Sequence, residues 1–347
     1  MMTLKPSIHV ISQASISENI RAVRWIPGRA SFIGVGCTVQ GVGAAQIWRM
    51  RESQIKSSHS LPVSRPLTSA AMLASSGDSH HVVLGDSQGG VEVWDLVEAR
   101  PQPISVLGGT NQSAIHALDT CGGCSGEPGP PEVVSGAADG RVLVWDARQP
   151  ERPVAQLCGG TSAAAWAVAL GGAGTEQDRS VLAGRQDGTI SLWDLRVGTL
   201  LWSGSMEGQG VCGLAFDRRG IVMNKAYAAG MGGRLATINL RPCQPDHGRA
   251  MEVQQARLDS VLWGVAPLPQ NREVLAVHAG DGSLSVHAYH YADSRHEVGG
   301  MEQLSHAQVA QQGIPSFDWH PQREGLWVAA AYDQQLRIGC VTGLRRL

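Results

Sequence analysis

One arrangement of residues recurs along this chain at a nearly fixed interval, and it constrains the fold more than any other feature. In VVSGAADGRVLVWDARQ (133–149) an apolar run, a turn containing Gly and Asp, and a second apolar run end in a Trp-Asp pair. VLAGRQDGTISLWDLR (181–196) and VVLGDSQGGVEVWDLV (82–97) repeat it closely. VGAAQIWRM (42–50), AAGMGGRLATINLR (228–241), VHAGDGSLSVHAYHY (277–291) and AAAYDQQLRIGCVT (329–342) repeat it more loosely. Aligned on the tryptophan, the seven copies place Trp48, Trp94, Trp145, Trp193, Ile238, His287 and Gly339 in one column, 45 to 52 residues apart. A recurring unit of this size is one supersecondary element that buries its apolar face only against the next copy.

The alternating character of Val142-Leu143-Val144-Trp145 is that of a pleated strand. A further short strand precedes each pair: AVRWIP, SAAML, HALDT, AVALG, GLAFD, GVAPLP and SFDWHP. The pattern resembles the WD-repeat propeller, whose period is about 40 to 45 residues, with longer loops accounting for the excess. It predicts an all-β, seven-bladed β-propeller occupying residues 1–347 as a single domain. The segment SIHVISQ (7–13) precedes the first full unit and is expected to supply the outer strand of the seventh blade, closing the ring and removing an exposed sheet edge.

Within this reading Asp139-Gly140 is a two-residue hairpin turn in which glycine provides the positive φ, and Asp187, Asp281 and Asp333 hold the same place in their units. Trp48, Trp94, Trp145 and Trp193 are structural blade tryptophans. WD repeats use a hydrogen-bonded tetrad of His, Ser or Thr, Asp and Trp, of which the third unit keeps Ser135, Asp139 and Trp145. Gly108-Gly109 stands where Gly-His is usual. Apolar packing between neighbours is therefore expected to hold most blades.

Composition narrows the function. With 28 basic and 30 acidic residues the net charge is −2, so no global field favours nucleic acid or an anionic membrane. No run of about 18 apolar residues offers a membrane span. Seven scattered cysteines and the lack of a signal-peptide pattern fit a reducing, cytoplasmic setting. A monomer is expected.

Several motifs invite a chemical reading and lose it in context. GDSQGG (85–90) fits Gly-x-Ser-x-Gly, yet Ser87 falls in a turn between strands, not at a strand-to-helix elbow. GVGCTVQGVG (34–43) is Gly-rich, but the three lysines, Lys5, Lys56 and Lys225, follow no glycine, so a phosphate-binding Gly-Lys-Ser/Thr is missing. Cys121 and Cys124 of CGGC lie in a loop; a structural zinc needs a second ligand pair of suitable spacing, and a reversible disulfide is the alternative. His80, His81, His287 and His290 have no carboxylate constellation around them, and read as satisfied or exposed histidines. No catalytic residue, metal or cofactor is expected.

Aligning the inner strands two places before their inner apolar position selects Arg21, Thr68, His116, Trp166, Cys212, Trp263 and Pro315. In a propeller this position opens the innermost strand at the rim of the central channel. Trp and Arg dominate binding hot spots. Arg21, His116, Trp166 and Trp263 are therefore the candidate protein-binding rim, with Trp166 and Trp263 two blades apart. The bland alternative is that both tryptophans pack under loops.

Beyond the repeat itself, GVCGLAFDRR (210–219), MNK (223–225), LPQNRE (268–273), PSFDWHPQREGL (315–326) and PEVVSGAADGRVLVWDARQPERPVA (131–155) resemble the Monad-type WD-repeat family of dynein axonemal assembly factors. The similarity runs from RWIP (24–27) onward, and LPQNRE is informative because blade pattern does not dictate a loop sequence. The resemblance implies a non-catalytic platform for cytoplasmic preassembly of axonemal dynein for cilia or flagella, in or near dynein-assembly foci. The partners it implies are a tetratricopeptide-repeat adaptor and the RuvB-like ATPases of a prefoldin-like co-chaperone complex, heat-shock chaperones and axonemal dynein chains. The strands VHAYHY and IGCVTG depart from the family pattern. Two other classes compete. WDAR (145–148) and WDLR (193–196) match the Trp-Asp-x-Arg box through which some propellers serve as substrate receptors of cullin-RING ubiquitin ligases, with Arg148 and Arg196 as docking residues. A GDS-type hydrolase using Ser87 is the third.

Overall fold

The computed structural model describes residues 5–73, 80–96, 102–108, 113–120, 131–158, 160–171, 179–217, 223–240, 251–255, 260–294 and 297–344. Their strands form seven four-stranded antiparallel sheets. The first strand, β1 (Ser7–Ser15), stands apart from its sequence neighbours. Blade one contains β2 (Asn19–Trp25), β3 (Ser31–Cys37), β4 (Gly43–Arg51) and β5 (Gln54–Ser60). Blade two contains β6 (Leu67–Leu73), β7 (His81–Asp86), β8 (Val91–Asp95) and β9 (Ser105–Leu107). Blade three contains β10 (Ile115–Thr120), β11 (Glu132–Ala137), β12 (Val142–Asp146) and β13 (Ala155–Leu157). Blade four contains β14 (Ala165–Gly171), β15 (Ser180–Arg185), β16 (Thr189–Asp194) and β17 (Thr199–Ser205). Blade five contains β18 (Val211–Phe216), β19 (Lys225–Gly230), β20 (Arg234–Asn239) and β21 (Met251–Gln255). Blade six contains β22 (Leu262–Leu268), β23 (Asn271–Ala279), β24 (Ser283–His290) and β25 (Gly300–Gln308). Blade seven contains β26 (Ser316–Trp319), β27 (Leu326–Ala331) and β28 (Gln335–Thr342), and β1 pairs with β28 from Ser7 opposite Thr342 to Ser15 opposite Gln335. The closing strand thus runs two residues beyond the segment 7–13. Each inner strand touches the inner strands on both sides, and β26 meets β2, so the ring is complete.

Seven apolar clusters hold the ring, each shared by two neighbouring sheets. Alternate residues of one strand face opposite neighbours, as a two-residue period requires. Thus Trp94 packs back onto blade one, while Val93 on the same strand faces blade three. Trp145, Trp193 and Trp48 likewise pack back onto blades two, three and seven. Burying a side chain of that size contributes on the order of 3 kcal/mol.

The polar support of these tryptophans differs for a reason written in the sequence. Trp145 Nε1 donates to Ser135 Oγ at 3.0 Å. The residue equivalent to Ser135 is Gly34 in blade one and Ala183 in blade four, and the buried Nε1 atoms of Trp48 and Trp193 have no partner there. Trp94 Nε1 instead reaches Glu92 Oε2 at 2.9 Å. Asp139 is not part of a tetrad; it holds Arg141 through the backbone N–H at 3.0 Å and Nε at 2.7 Å.

Where the column tryptophan is missing, something else fills its volume. Opposite Gly339 stands Trp327, whose ring already occupies the place a Cβ at 339 would take. His287 is buried and sits 2.9 Å from Ser285 Oγ, its pKa pushed down to about 4 by burial and the nearby His306. His290, by contrast, is exposed and pairs with Glu302.

The turns joining second to third strands correct one expectation. Gly140 N–H donates to Ala137 O and Ala137 N–H to Arg141 O, both at 3.0 Å, with Gly140 at φ +84°. This is a three-residue loop with a left-handed glycine closing it, one residue longer than a two-residue hairpin turn. The same bond recurs from Gly188 N–H to Arg185 O, Gly282 N–H to Ala279 O and Gln334 N–H to Ala331 O. Asp187 accepts from Thr189 N–H and Thr161 Oγ1, Asp281 from Ser283 N–H and Oγ, and Asp333 from Arg337 and Gln311 N–H.

Candidate protein-binding face

Residues Arg21, Thr68, His116, Trp166, Cys212, Trp263 and Pro315 all line one cavity of about 510 Å³ at the start of the inner strands. A common backbone device puts six of them there. In β2, β6, β10, β14, β18 and β22 the register slips by one residue at that position, between Ile20 and Ala22, Leu67 and Ser69, Ile115 and Ala117, Ala165 and Ala167, Val211 and Gly213, and Leu262 and Gly264. A β-bulge leaves the extra residue out of the ladder and re-aims its side chain. In blade seven Pro315 immediately precedes β26, and proline has no N–H with which to extend a ladder.

The seven positions differ in what they offer. Trp263 is 37% exposed, its ring edge-on to Tyr332 with centroids 6.5 Å apart. The Arg21 guanidinium lies 6.0 Å from the centroid of the same Tyr332 ring. Trp166 is half-buried, its ring filling the space a Cβ on Gly210 would need. His116 is exposed, with its pKa lowered by partial burial. Thr68 turns its hydroxyl to the carbonyls of Gly85 and Ile115, so that position serves the frame. Burial pushes the Cys212 thiol up to about 11, which leaves it a poor nucleophile.

Further lining residues that the inner-strand alignment does not select include Arg24 on β2, Tyr332 and Met231 from the turns of blades seven and five, and His278. Tyr332 was visible as an aromatic residue inside a turn otherwise made of small and polar ones. His278 Nδ1 faces Ile314 O at 2.7 Å, and burial brings its pKa down to about 4.

The other motifs resolve as frame. Asp86 of GDSQGG accepts from Gln88 N–H at 2.7 Å, Gly90 N–H at 2.8 Å and Arg65, while Ser87 is exposed on the turn and donates its backbone N–H to Pro66 O. No imidazole faces its hydroxyl among the described residues. Thr38, Gly41 and Val42 of the Gly-rich run form the hairpin between β3 and β4. Arg148 and Arg196 fold back on the Asp of their own motif, at 2.6 Å from Asp146 and 2.8 Å from Asp194, and these guanidinium groups hold both carboxyls below their usual range. Cys121 and Cys124 lie outside the described residues. Among the described residues no three His, Cys, Asp or Glu side chains converge as a metal site would require, and no helix is long and apolar enough to cross a membrane.

At the opposite ends of the inner strands, the runs GVCGLAFDRR, MNK and LPQNRE meet. Asp217, Lys225 and Arg272 form one buried cluster: Arg272 Nε is 2.9 Å and Lys225 Nζ 3.5 Å from Asp217 Oδ2. Lys225 Nζ donates to Tyr291 Oη at 2.9 Å and lies 4.6 Å from the ring centroids of both Tyr289 and Tyr291. The next seam uses LPQNRE and PSFDWHPQREGL, with Gln270 donating to Pro321 O at 2.9 Å and Trp319 Nε1 to Ala266 O at 2.8 Å. The closing seam between blades seven and one is made by Trp25 N–H on Asp318 at 2.8 Å and Val23 N–H on Ser316 at 3.0 Å. Apolar packing is therefore supplemented by cross-blade polar contacts at these seams, as it is between blades three and four, where Leu170 N–H donates to Asp119 at 2.8 Å and Arg185 to Gly140 O at 2.7 Å.

A complete ring of seven four-stranded antiparallel sheets with a side-chain-lined mouth defines the class as a WD-repeat β-propeller. Solved structures agree in fold: the chain is similar to the WD40 β-propeller domain of Doa1 (TM-score 0.69, 15% identity, 96% of each chain). It is also similar to the β-propeller domain of Myceliophteria thermophila Cps50 (Swd1) (TM-score 0.71, 13% identity, 97% of this chain and 100% of that one). No family model matches the chain. Curated relatives named dynein axonemal assembly factor 10 are 33% identical in Chlamydomonas reinhardtii (99% of both chains), 34% in Xenopus laevis (99% and 98%) and 32% in Homo sapiens (99% of both). The chain belongs to the dynein axonemal assembly factor 10 family.

Proposed function

We propose that this chain is a non-catalytic interaction scaffold for cytoplasmic preassembly of axonemal dynein, and that partners dock at the channel mouth. The observation that carries the reading is the full-length likeness to relatives named as dynein axonemal assembly factors. The row of Arg21, Tyr332 and Trp263 supports the choice of face, because a half-exposed Trp beside an Arg at the centre of a rigid ring has the make-up of a hot spot. The partners in this reading are a tetratricopeptide-repeat adaptor with its RuvB-like ATPases in a prefoldin-like co-chaperone complex, heat-shock chaperones, and axonemal dynein chains. Affinity capture of the tagged chain from ciliated or flagellated cells tests it. Recovery of the adaptor, the ATPases or a dynein chain is expected, and capture of none of these contradicts the reading.

A further inference from the structure

The charge lining the cavity at the channel mouth is one-sided. Among the residues lining the cavity only Arg21 and Arg24 carry a formal charge, and none is Asp or Glu. Both arginines belong to β2. Arg24 is fixed through Nη1, which donates to Val23 O at 2.7 Å and Ser316 Oγ at 3.2 Å, and Arg21 is exposed. Of the acids in the surrounding turns, Asp86, Asp139 and Asp333 are paired with Arg65, Arg141 and Arg337, while Asp187 and Asp281 are hydrogen-bonded to Thr189 and Ser283 and keep their charge outside the cavity lining. The cavity's two histidines add no compensating negative charge.

Two guanidinium groups in a recess with apolar walls focus a positive potential, and a carboxylate fits the guanidinium fork with two parallel hydrogen bonds. Trp263, from blade six, and Trp166, from blade four, line the same cavity and offer it apolar surface. We propose that the mouth takes an extended acidic segment of a partner protein, with a carboxylate on Arg21 and Arg24 and its apolar neighbour against Trp263. This inference rests on the reading that the mouth is the docking face.

The test is fluorescence anisotropy of the full chain with three labelled peptides. These are Gly-Ser-Asp-Glu-Leu-Asp-Glu-Gly-Ser, its Asn/Gln counterpart, and its Lys/Arg counterpart. The acidic peptide is expected to bind about tenfold more tightly than the amide peptide at low salt, with the gap closing as salt rises. Arg21→Gln should erase that gap, and Trp263→Ala should weaken both peptides. Equal binding of acidic and amide peptides, lost on Trp263→Ala, overturns the acid preference and leaves the docking face standing. Tighter binding of the basic peptide, or no binding of the acidic one up to millimolar concentration, also overturns it. Acidic-peptide binding indifferent to both substitutions overturns the inference and the choice of face together.

Discussion

Trp263 and Tyr332 meet edge to face across the seam between blades six and seven, with ring centroids 6.5 Å apart. One ring comes from a bulge in an inner strand and the other from a turn 69 residues later in the chain, so the packing of blade six against blade seven brings them together. Because Tyr332 backs the indole, Trp263 presents a rigid apolar surface at low entropic cost. Trp263→Ala and Trp166→Ala are each expected to weaken partner binding by about 2 kcal/mol while leaving the melting profile nearly unchanged. Titration calorimetry against the captured partner, alongside thermal unfolding, checks both halves.

The buried cluster around Asp217 should behave in the opposite way. Its carboxylate neutralises two cations that have little access to water. Asp217→Ala removes the shared counter-charge from both and is expected to destabilise the fold by about 3 to 5 kcal/mol, read as a shift in the denaturant midpoint. A loss of less than about 1 kcal/mol would mean the cluster is solvated.

The orphaned indoles predict a gain. Gly34→Ser would place a Cβ 3.6 Å from Trp48 Nε1, in ordinary contact with its neighbours, and a hydroxyl within reach of that donor. Stabilisation of about 1 kcal/mol is expected from the new hydrogen bond, with a further contribution from replacing glycine inside a strand. Ala183→Ser should act similarly on Trp193.

His278 and His287 set a pH dependence with a definite sign. Both are buried with pKa values brought from 6.5 to about 4, so the unfolded chain binds more protons between those limits. Stability is complete above pH 6.5 and falls as the pH drops towards 4, by about 2 kcal/mol per histidine at pH 5. Urea unfolding at pH 7 and pH 5 measures the slope, and His278→Gln should roughly halve it, His287 supplying the rest.

Arg148 and Arg196 separate the scaffold from the ligase-receptor alternative. Each is tied to the aspartate of its own motif. Arg148→Ala with Arg196→Ala is expected to leave capture of the chaperone partners intact. Capture of a cullin-RING adaptor by the parent chain, lost in the double variant, would favour the alternative.

Much of this architecture was legible because the repeat unit is dictated by local chemistry. A left-handed glycine in the turn and a tryptophan on the third strand mark the clearest blades; in blade seven Gln334 takes the left-handed place and Trp327 restores from the facing strand the volume that Gly339 lacks. The channel-lining positions could be found by counting from the inner apolar residue. The bulges that aim them could not, because no residue type marks a bulge: Arg, Thr, His, Trp and Cys all occupy one. Turn length is not legible for a related reason, as Asp-Gly serves two-residue and three-residue loops alike. The Asp217, Lys225 and Arg272 cluster joins residues 55 apart across a blade seam, a distance no periodicity reports.

The central claim is that partners dock at the channel mouth, and site-specific photocrosslinking addresses it most directly. A benzophenone amino acid at position 263, or at Leu201 on the exposed outer strand of blade four, would be placed in the full chain in ciliated cells and irradiated. A covalent adduct with an adaptor, ATPase or dynein chain from position 263 and none from position 201 is the predicted result. Adducts from 201 with a silent 263 would contradict the account.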